Sequence, residues 1–551
     1  MSASDKKKLR REQKLDMLTA RQQQEQTEAK KLKTYTVVFV AIMALVAVIA
    51  IGSLIVGEVN KSGVFEKNTI AASIGDEQLN TVQLSYYYND AISEMYDKAY
   101  EQYNNYYELY FETMGLDLHA PLDEQVQDKE TGATWADYFV NAALESAKSD
   151  FTMEKLANDA GFQLPEDEAA NIDTYFTNLD VNAKLSGYSS ANAYLRMVYG
   201  SGADTESYKE HLTRIAIADA FYADHMDNLK YDNAAIREYE KDQINNYNSY
   251  DYSYSYLSYT DFQQGGTENE NGTVTYSEEE QAAAREALKQ AAEEMATATN
   301  LDELKEKAEA VKVNEDSQVA VNTQTRTLHT SINATLADWL ASAERKEGDI
   351  AAIPNATTST DGQESVVNGY YVVYFTGRSD NKLPMSDVRH LLVSFQGGTT
   401  DPETEELVYS EEEKNAAKTT ADDLLAQWKE GEATEESFIA LIKEHSDDTT
   451  AADGGLFENI NIDSQYVPNF LNWSLDAGRK VGDIEIIETE YGYHIMYYVG
   501  ASELNYRDHM ISSEMQIEDQ EKWYEAALET VTAEKLDVSR LKLDMIISPN
   551  A

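Results

Sequence analysis

Two histidines and one aspartate in the second half of the chain have types and positions that could perform polar chemistry. His390 lies in a predicted strand at 388–395, His494 lies in a second predicted strand at 492–499, and Asp448 follows a predicted helix in a turn. By themselves, these residues fit two ordinary interpretations: histidines that are hydrogen-bonded in a core, or a His-His-Asp zinc site, for which no further ligand is suitably spaced. The chain has no cysteine, which excludes disulfides, thiolate catalysis and cysteine-based zinc sites.

The strands that carry the two histidines belong to a segment that occurs twice. Tyr-Ser-Glu-Glu-Glu occurs at 276–280 and again at 409–413, WLASAERKEGDIAAI (339–353) parallels WSLDAGRKVGDIEII (473–487), and GYYVVYFTG (369–377) parallels GYHIMYYVG (492–500). Several matches in one order indicate two copies of one domain, the first at 250–379 and the second at 386–501. Each copy is predicted to run strand, helix, helix, turns and strand, with a capping box at the start of its first helix.

The second copy resembles the parvulin (PpiC) family of peptidyl-prolyl cis-trans isomerases over nearly its whole length. The resemblance is carried by VRHLLVSF (388–395), EHSDDTTAADGGLFENI (444–460), YVPNF (466–470) and GDIEIIETEYGYHI (482–495), in this order and spacing. It implies a four-stranded antiparallel sheet with surrounding helices. It also implies rotation of X-Pro amides in an apolar pocket, a reaction that breaks no bond and needs no cofactor or metal.

The resemblance transfers a set of site residues onto this sequence. The catalytic positions are His390, Asp448, Thr489 and His494, and the positions around the proline ring are Leu456, Tyr466 and Phe470. Tyr466 stands where methionine is commoner in the family. In the first copy, Leu257 is predicted to stand at the position of His390, and Tyr371 at that of His494. The first copy is therefore predicted to keep the fold without the activity.

The segment at 64–246 is rich in helical patterning with glycine between the predicted helices, and it is rich in tyrosine. Three of its stretches, AASIGDEQLNTVQL (71–84), MEKLANDAGFQLPEDEAANIDTYF (153–176) and YKEHLTRIAIADAFYADH (208–225), resemble the chaperone region of SurA- and PrsA-type foldases. The tail at 503–551 is also predicted to be helical, and the resemblance implies that it returns to pack on the module at 64–246.

The N-terminal part of the chain indicates a membrane anchor. Residues 36–57 contain no charge, and the preceding arm at 1–35 is basic. This pattern predicts a single transmembrane signal anchor with the arm in the cytoplasm and the rest of the chain exported. The 99 acidic and 45 basic residues argue against a nucleic-acid partner.

Together these features predict an α+β multidomain protein: one transmembrane helix, a helical SurA-like chaperone module and two parvulin-like domains with four-stranded antiparallel sheets. The predicted function is prolyl isomerase and foldase for unfolded or partly folded exported polypeptides, located at the cell membrane. The alternative is a non-catalytic, membrane-anchored holdase that uses both repeats as binding modules.

Overall fold

The computed structural model describes residues 63–103, 106–313, 319–358, 365–402 and 407–543. The chain divides into two compact units, of which the first combines Met1–Lys230 with Gln516–Ala551 and the second is Tyr231–Met515. The helices of the described part are α1 (Val64–Asn68), α2 (Thr81–Tyr103), α3 (Tyr107–Met114), α4 (Trp135–Ala160), α5 (Glu166–Leu185), α6 (Ala191–Tyr199), α7 (Thr205–Asn228), α8 (Asn233–Glu240), α9 (Glu278–Met295), α10 (Leu301–Ala310), α11 (Ala334–Ala341), α12 (Glu411–Glu430), α13 (Glu435–His445), α14 (Pro468–Ser474) and α15 (Tyr506–Glu529).

The paired strands of the described part of the chain all run antiparallel to one another. They are β1 (Ile70–Ile74), β2 (Glu77–Asn80), β3 (Ser249–Ser258), β4 (Thr267–Glu268), β5 (Val274–Thr275), β6 (Asn322–Leu328), β7 (Ile350–Thr358), β8 (Ser365–Ser379), β9 (Ser386–Ser394), β10 (Thr399–Thr400), β11 (Leu407–Val408), β12 (Leu456–Ile460), β13 (Ile484–Glu488), β14 (Gly492–Ala501) and β15 (Ala533–Lys535).

The structure corrects the prediction of a membrane anchor. Across the ranges given above, no helix is long and apolar enough to cross a membrane. The long helices are amphipathic instead: α4, for example, buries Phe139 and Ala143 and exposes Glu145. The predicted anchor at 36–57 and the arm at 1–35 lie outside the described residues. The transmembrane helix and the location of the chain in a cell membrane are therefore not supported.

The first unit is mainly helical and contains a three-stranded sheet in the order β15-β1-β2. Its longest helix, α4, begins at a capping box between Thr134 and Asp137 and ends at Gly161, whose positive φ of 73° suits a residue without a side chain. The C-terminal part of α15 belongs to this unit, where the Trp523 ring stacks on His225 at 3.8 Å.

The tyrosines of the first unit differ widely in exposure. Tyr86, Tyr87 and Tyr88 are at most 2% exposed and pack in the helical core. In contrast, Tyr100 is 56% exposed and Tyr106 is 76% exposed. The dense run of tyrosines in the sequence therefore supplies core packing at some positions and an aromatic surface at others.

The second unit contains two four-stranded sheets of the same topology. Their strand orders are β6-β3-β8-β7 and β12-β9-β14-β13. In the second sheet, one face packs against α12 and α13, and in the first sheet the corresponding face packs against α9 and α10. The short helices α11 and α14 cover part of the opposite faces. Each sheet thus leaves one face partly open beside a short helix.

The strand registers show which residues of the two repeats correspond. Ser394 is paired with Gly492 in the second sheet, and Ser258 is paired with Gly369 in the first. Counting four residues back along β9 and β3 places Tyr254 at the position of His390.

The assignment of Leu257 to this position is therefore wrong. Leu257 packs in the cluster with α9 and α10, on the opposite face of its sheet from the predicted site. Side chains alternate along a strand, so a misalignment by an odd number of residues moves the position to the other face. The register agrees with the placement of Tyr371 at the position of His494.

Candidate functional site

His390 and His494 meet on one face of the second sheet. Their strands β9 and β14 are neighbours, with His390 opposite Met496 and His494 opposite Leu392. The two histidines are therefore diagonal neighbours on the same face. Their Nδ1 atoms are 2.9 Å apart, and their rings are stacked with 18° between the planes.

Thr489 and Asp448 extend this pair into a row of four polar side chains. The Thr489 hydroxyl lies 2.8 Å from His494 Nε2, and Asp448 Oδ2 lies 3.5 Å from His390 Nε2. All four residues are buried, none of them more than 8% exposed. The order of the row is Asp448, His390, His494, Thr489.

The contacts favour one direction for the hydrogen bonds along this row. Asp448 Oδ2 faces His390 Nε2 at 3.5 Å, so a proton on this nitrogen would point toward a carboxylate oxygen. His390 Nδ1 then accepts from His494 Nδ1, and His494 Nε2 accepts from the Thr489 hydroxyl. The Thr489 oxygen in turn accepts from the Tyr491 backbone N–H at 3.2 Å.

Two local features hold His390 and Asp448 in place. Asp448 is the N-cap of the short 3-10 helix Thr449–Asp453, and its Oδ1 accepts hydrogen bonds from the backbone N–H and the hydroxyl of Thr450. The backbone N–H of His390 donates to the carbonyl of Gly455 at 3.0 Å. A Cβ at Gly455 would lie 2.3 Å from the His390 carbonyl oxygen, so this close approach requires glycine.

Three aromatic rings form an apolar wall beside the histidines. The Phe470 ring, from α14, meets the His390 ring edge-on at 5.4 Å and also contacts His494 at 5.8 Å. Tyr466 lies 5.2 Å from Phe470, and Phe457 lies 4.9 Å from His390, between ring centroids. Burial, with a further contribution from the negative charge of Asp448, raises the pKa of Tyr466, so its phenol stays protonated at neutral pH.

The sequence predicts Leu456 at the proline pocket, whereas the structure places its neighbour Phe457 beside His390. Phe457 pairs with Val388, on the face of β9 that carries His390, whereas Leu456 pairs with Arg389 on the opposite face. Of the seven predicted site residues, the structure thus brings together His390, Asp448, Thr489, His494, Tyr466 and Phe470, and it places Leu456 on the other side of the sheet. The alternation of side chains along the strand was the signal that could have identified Phe457.

The site offers a buried polar row beside an aromatic wall. In the part of the chain that the structure describes, no group of three or more histidine, aspartate or glutamate side chains could hold a metal ion. The contacts instead suit a ligand with an apolar ring and an adjacent polar group, which the row and the wall could hold together.

The family comparison agrees with this arrangement. A model of the PPIC-type PPIASE domain, named Rotamase_3, matches residues 370–499. The match begins in β8 and includes every member of the polar row and the aromatic wall. No curated protein matches the chain.

Three solved structures illustrate what the chain is similar to. The PPIase domain of TbPar42 is 23% identical, with 21% of this chain and 98% of that chain covered and a TM-score of 0.16. Peptidylprolyl isomerase PrsA from Bacillus anthracis is 20% identical, with 30% and 63% covered and a TM-score of 0.16. The SurA-like chaperones of Campylobacter jejuni, PEB4 and Cj1289, are represented by a structure that is 19% identical, with 27% and 53% covered and a TM-score of 0.16.

The chain spans less than two thirds of the PrsA and SurA-like structures that it matches. The family model, in contrast, covers the whole row from His390 to His494. The chain therefore carries a peptidyl-prolyl cis-trans isomerase domain of the PPIC, or parvulin, type.

Proposed function

We propose that the chain accelerates cis-trans isomerisation of X-Pro bonds in unfolded or partly folded polypeptides at the row of Asp448, His390, His494 and Thr489. The observation that supports this most directly is the 2.9 Å contact between the two histidine Nδ1 atoms, buried next to the Phe470 ring. No cofactor is required, because isomerisation neither makes nor breaks a covalent bond.

The barrier to rotation comes from amide resonance and is about 18–20 kcal/mol. The aromatic wall of Phe457, Tyr466 and Phe470 would hold the proline ring by apolar contact. With the ring held, rotation is confined to the X-Pro bond itself. Interactions that are stronger with the twisted amide than with the planar one lower the barrier.

The carboxylate of Asp448 could supply such an interaction. In the planar amide, resonance places partial negative charge on the carbonyl oxygen, and this charge decreases as the bond twists. A buried negative group close to that oxygen therefore disfavours the planar state more than the twisted state, and burial strengthens the effect. The row through His390, His494 and Thr489 would keep Asp448 and its surroundings fixed, so that little rearrangement is needed during rotation.

The test is a proline-isomerisation assay with the full chain and a short X-Pro peptide. We expect clear acceleration by the original protein and at least a tenfold loss of kcat/KM in His390→Ala and in His494→Ala. His445→Ala is a matched control, because His445 is a partly exposed residue at the end of α13 outside the row. A folded original protein that leaves the exchange rate at its spontaneous value would refute the proposal.

A second candidate function is the holding of unfolded chains without catalysis, and the aromatic surface of the first unit favours it. Tyr100 and Tyr106 are exposed there, together with Leu109, which is 49% exposed. The measurement is suppression of aggregation of an unfolded substrate that lacks proline. Protection by the His390→Ala, His494→Ala double variant equal to that of the original protein would support a separate holding activity, and loss of protection would contradict it.

A further inference from the structure

The first repeat keeps the arrangement of the isomerase face with a different set of side chains. Tyr254 and Tyr371 lie at the positions of the two histidines, as the strand registers show. On the adjacent strand β7, Ile353 pairs with Tyr371, just as Ile487 pairs with His494 in the second sheet. Asn355, two residues further on, therefore occupies the position of Thr489.

These residues form one continuous aromatic surface. The rings of Tyr256 and Tyr371 are 4.7 Å apart, and those of Tyr254 and Tyr371 are 6.0 Å apart. Asn355 Nδ2 donates to the Tyr256 hydroxyl at 3.2 Å, as a polar group beside the rings. Tyr256 is 36% exposed, and its three partners are half-buried, so the surface is accessible from solvent.

The base of this surface is apolar. Ile332 and Leu336, from the loop before α11 and from α11 itself, are buried in the same cluster as Val373, and Tyr254 and Tyr371 pack against that cluster. Burial raises the pKa of Tyr371, with a smaller contribution from its neighbour Tyr256, so the phenol is neutral at physiological pH. The three tyrosines and Asn355 thus offer ring faces and neutral hydrogen-bonding groups, with no carboxylate or imidazole among them.

Surfaces of this kind suit proline-containing chains. An extended proline-containing segment has rigid apolar rings and fully solvated carbonyl groups, and its ordering cost on binding is low. Tyrosine rings give the proline apolar contact, while hydroxyl and amide groups can donate to the carbonyls. Because tyrosines replace both histidines and no carboxylate is present among these four residues, the bound X-Pro bond would not be rotated here.

We propose that the face formed by Tyr254, Tyr256, Asn355 and Tyr371 binds proline-containing extended segments of client polypeptides without isomerising them. The choice of ligand rests on the proposed isomerase function of the second repeat, whereas the binding itself does not require that activity. The first repeat would then retain a client near the catalytic repeat of the same unit.

The two repeats are in direct side-chain contact within the second unit. Arg326, in β6 of the first repeat, makes two hydrogen bonds to Asp463 of the second repeat, at 2.6 Å and 3.0 Å. A client held by the first repeat therefore has a high effective concentration at the second, provided that its chain is long enough to reach both. A short peptide gains nothing from this arrangement.

The experiment uses the full chain and an extended peptide of alanine and proline residues that carries a photo-crosslinking side chain. A matched peptide has alanine in place of every proline. We expect the proline peptide to crosslink to β3 and β8 of the first repeat as well as to the second repeat. In the Tyr256→Ala, Tyr371→Ala double variant, crosslinking to the first repeat should fall on the order of tenfold, while isomerisation of a short X-Pro peptide stays unchanged.

Two controls separate binding from loss of folding. Tyr370→Ala changes the adjacent residue on the other face of β8 and should leave crosslinking unchanged, and Tyr256→Phe keeps the ring and should retain most of it. The proposal is overturned if only the second repeat is crosslinked or if the alanine peptide labels the first repeat equally well. The outcome is independent of the isomerase proposal, because crosslinking to the first repeat should persist in the His390→Ala, His494→Ala variant.

Discussion

The Nδ1 atoms of His390 and His494 lie 2.9 Å apart, although 104 positions separate the two residues in the chain. At this distance the two nitrogens form one hydrogen bond, in which one Nδ1 donates and the other accepts. The tautomer of one ring therefore determines that of the other. The Thr489 hydroxyl and the Asp448 carboxylate lie at the two ends of the pair. A change at either end is therefore expected to affect both rings.

Thr489→Val removes the hydroxyl at one end while keeping the shape of the side chain. His494 Nε2 would remain buried without its partner, which costs about 1–3 kcal/mol. We expect a lower free energy of unfolding by this amount and a loss of kcat/KM of roughly tenfold or more. Denaturant unfolding and a proline-isomerisation assay measure the two effects. Thr420→Val, at an exposed position on α12, is the control and should change neither; an unaltered rate in Thr489→Val would argue against a functional row.

Gly455→Ala tests the close approach of two backbone segments that fixes His390. The new Cβ would lie 2.3 Å from the His390 carbonyl oxygen, and the residue has a φ of +61°. We expect destabilisation by about 1–3 kcal/mol together with reduced isomerase activity, because β9 must shift. Gly500→Ala is the matched control in the same sheet, since its nearest neighbour is a side-chain carbon at 3.8 Å. Equal Tm values for the two variants would contradict this explanation.

The stability of the first unit should fall as the pH rises from about 4 to 7. Burial raises the pKa of Asp150, on α4, to about 7, and the nearby carboxylates of Asp219 and Asp90 add to the shift. An unfolded aspartate titrates near pH 3.9, so in this range the folded state holds a proton that the unfolded state has released. The stabilisation is therefore complete below about pH 4 and is lost as the pH passes the folded pKa.

Hydrogen exchange of the α4 amides as a function of pH measures this loss. Asp150→Asn should remove the dependence, because an amide does not titrate. Asp159→Asn, at an exposed position of the same helix, should retain it. A pH dependence that is the same in all three proteins would show that another group is responsible.

A buried ion pair lies in the second unit near the start of α15. Arg507 is 2% exposed and forms a hydrogen bond to the carboxylate of Glu240, and it also donates to Asn248 Oδ1 at 2.8 Å and to the Asp380 carbonyl at 2.9 Å. Arg507→Met leaves Glu240 with Arg237 as its remaining ionic partner, so we expect the second unit to lose about 1–3 kcal/mol of stability.

Denaturant unfolding measures the loss, and two further variants define its cause. Adding Glu240→Met to Arg507→Met should recover part of the stability, since the buried carboxylate that has lost one of its two arginine partners is then removed. Lys241→Met, which disrupts an exposed pair with Glu238, should cost less than about 1 kcal/mol. A double variant that is less stable than Arg507→Met would indicate that packing, and not charge, dominates.

Much of the candidate site could be predicted from the sequence, because motifs of fixed order and spacing specify which residues meet. The segments around His390, Asp448, Phe470, Thr489 and His494 indicated the fold of the second repeat before any contact was known. The match of the family model to residues 370–499 agrees with that assignment. The repeated segments likewise predicted two copies of one domain, and the structure has two sheets with the same strand order.

Only the tertiary structure decided which face of a strand each neighbouring residue occupies. It placed Phe457 rather than Leu456 beside His390, and Tyr254 rather than Leu257 at the corresponding position of the first repeat. Both errors have one physical cause: side chains alternate across a sheet, so a slip of one or three residues in an alignment exchanges the two faces. Sequence similarity tolerates such a slip, whereas hydrogen-bonded register between strands does not.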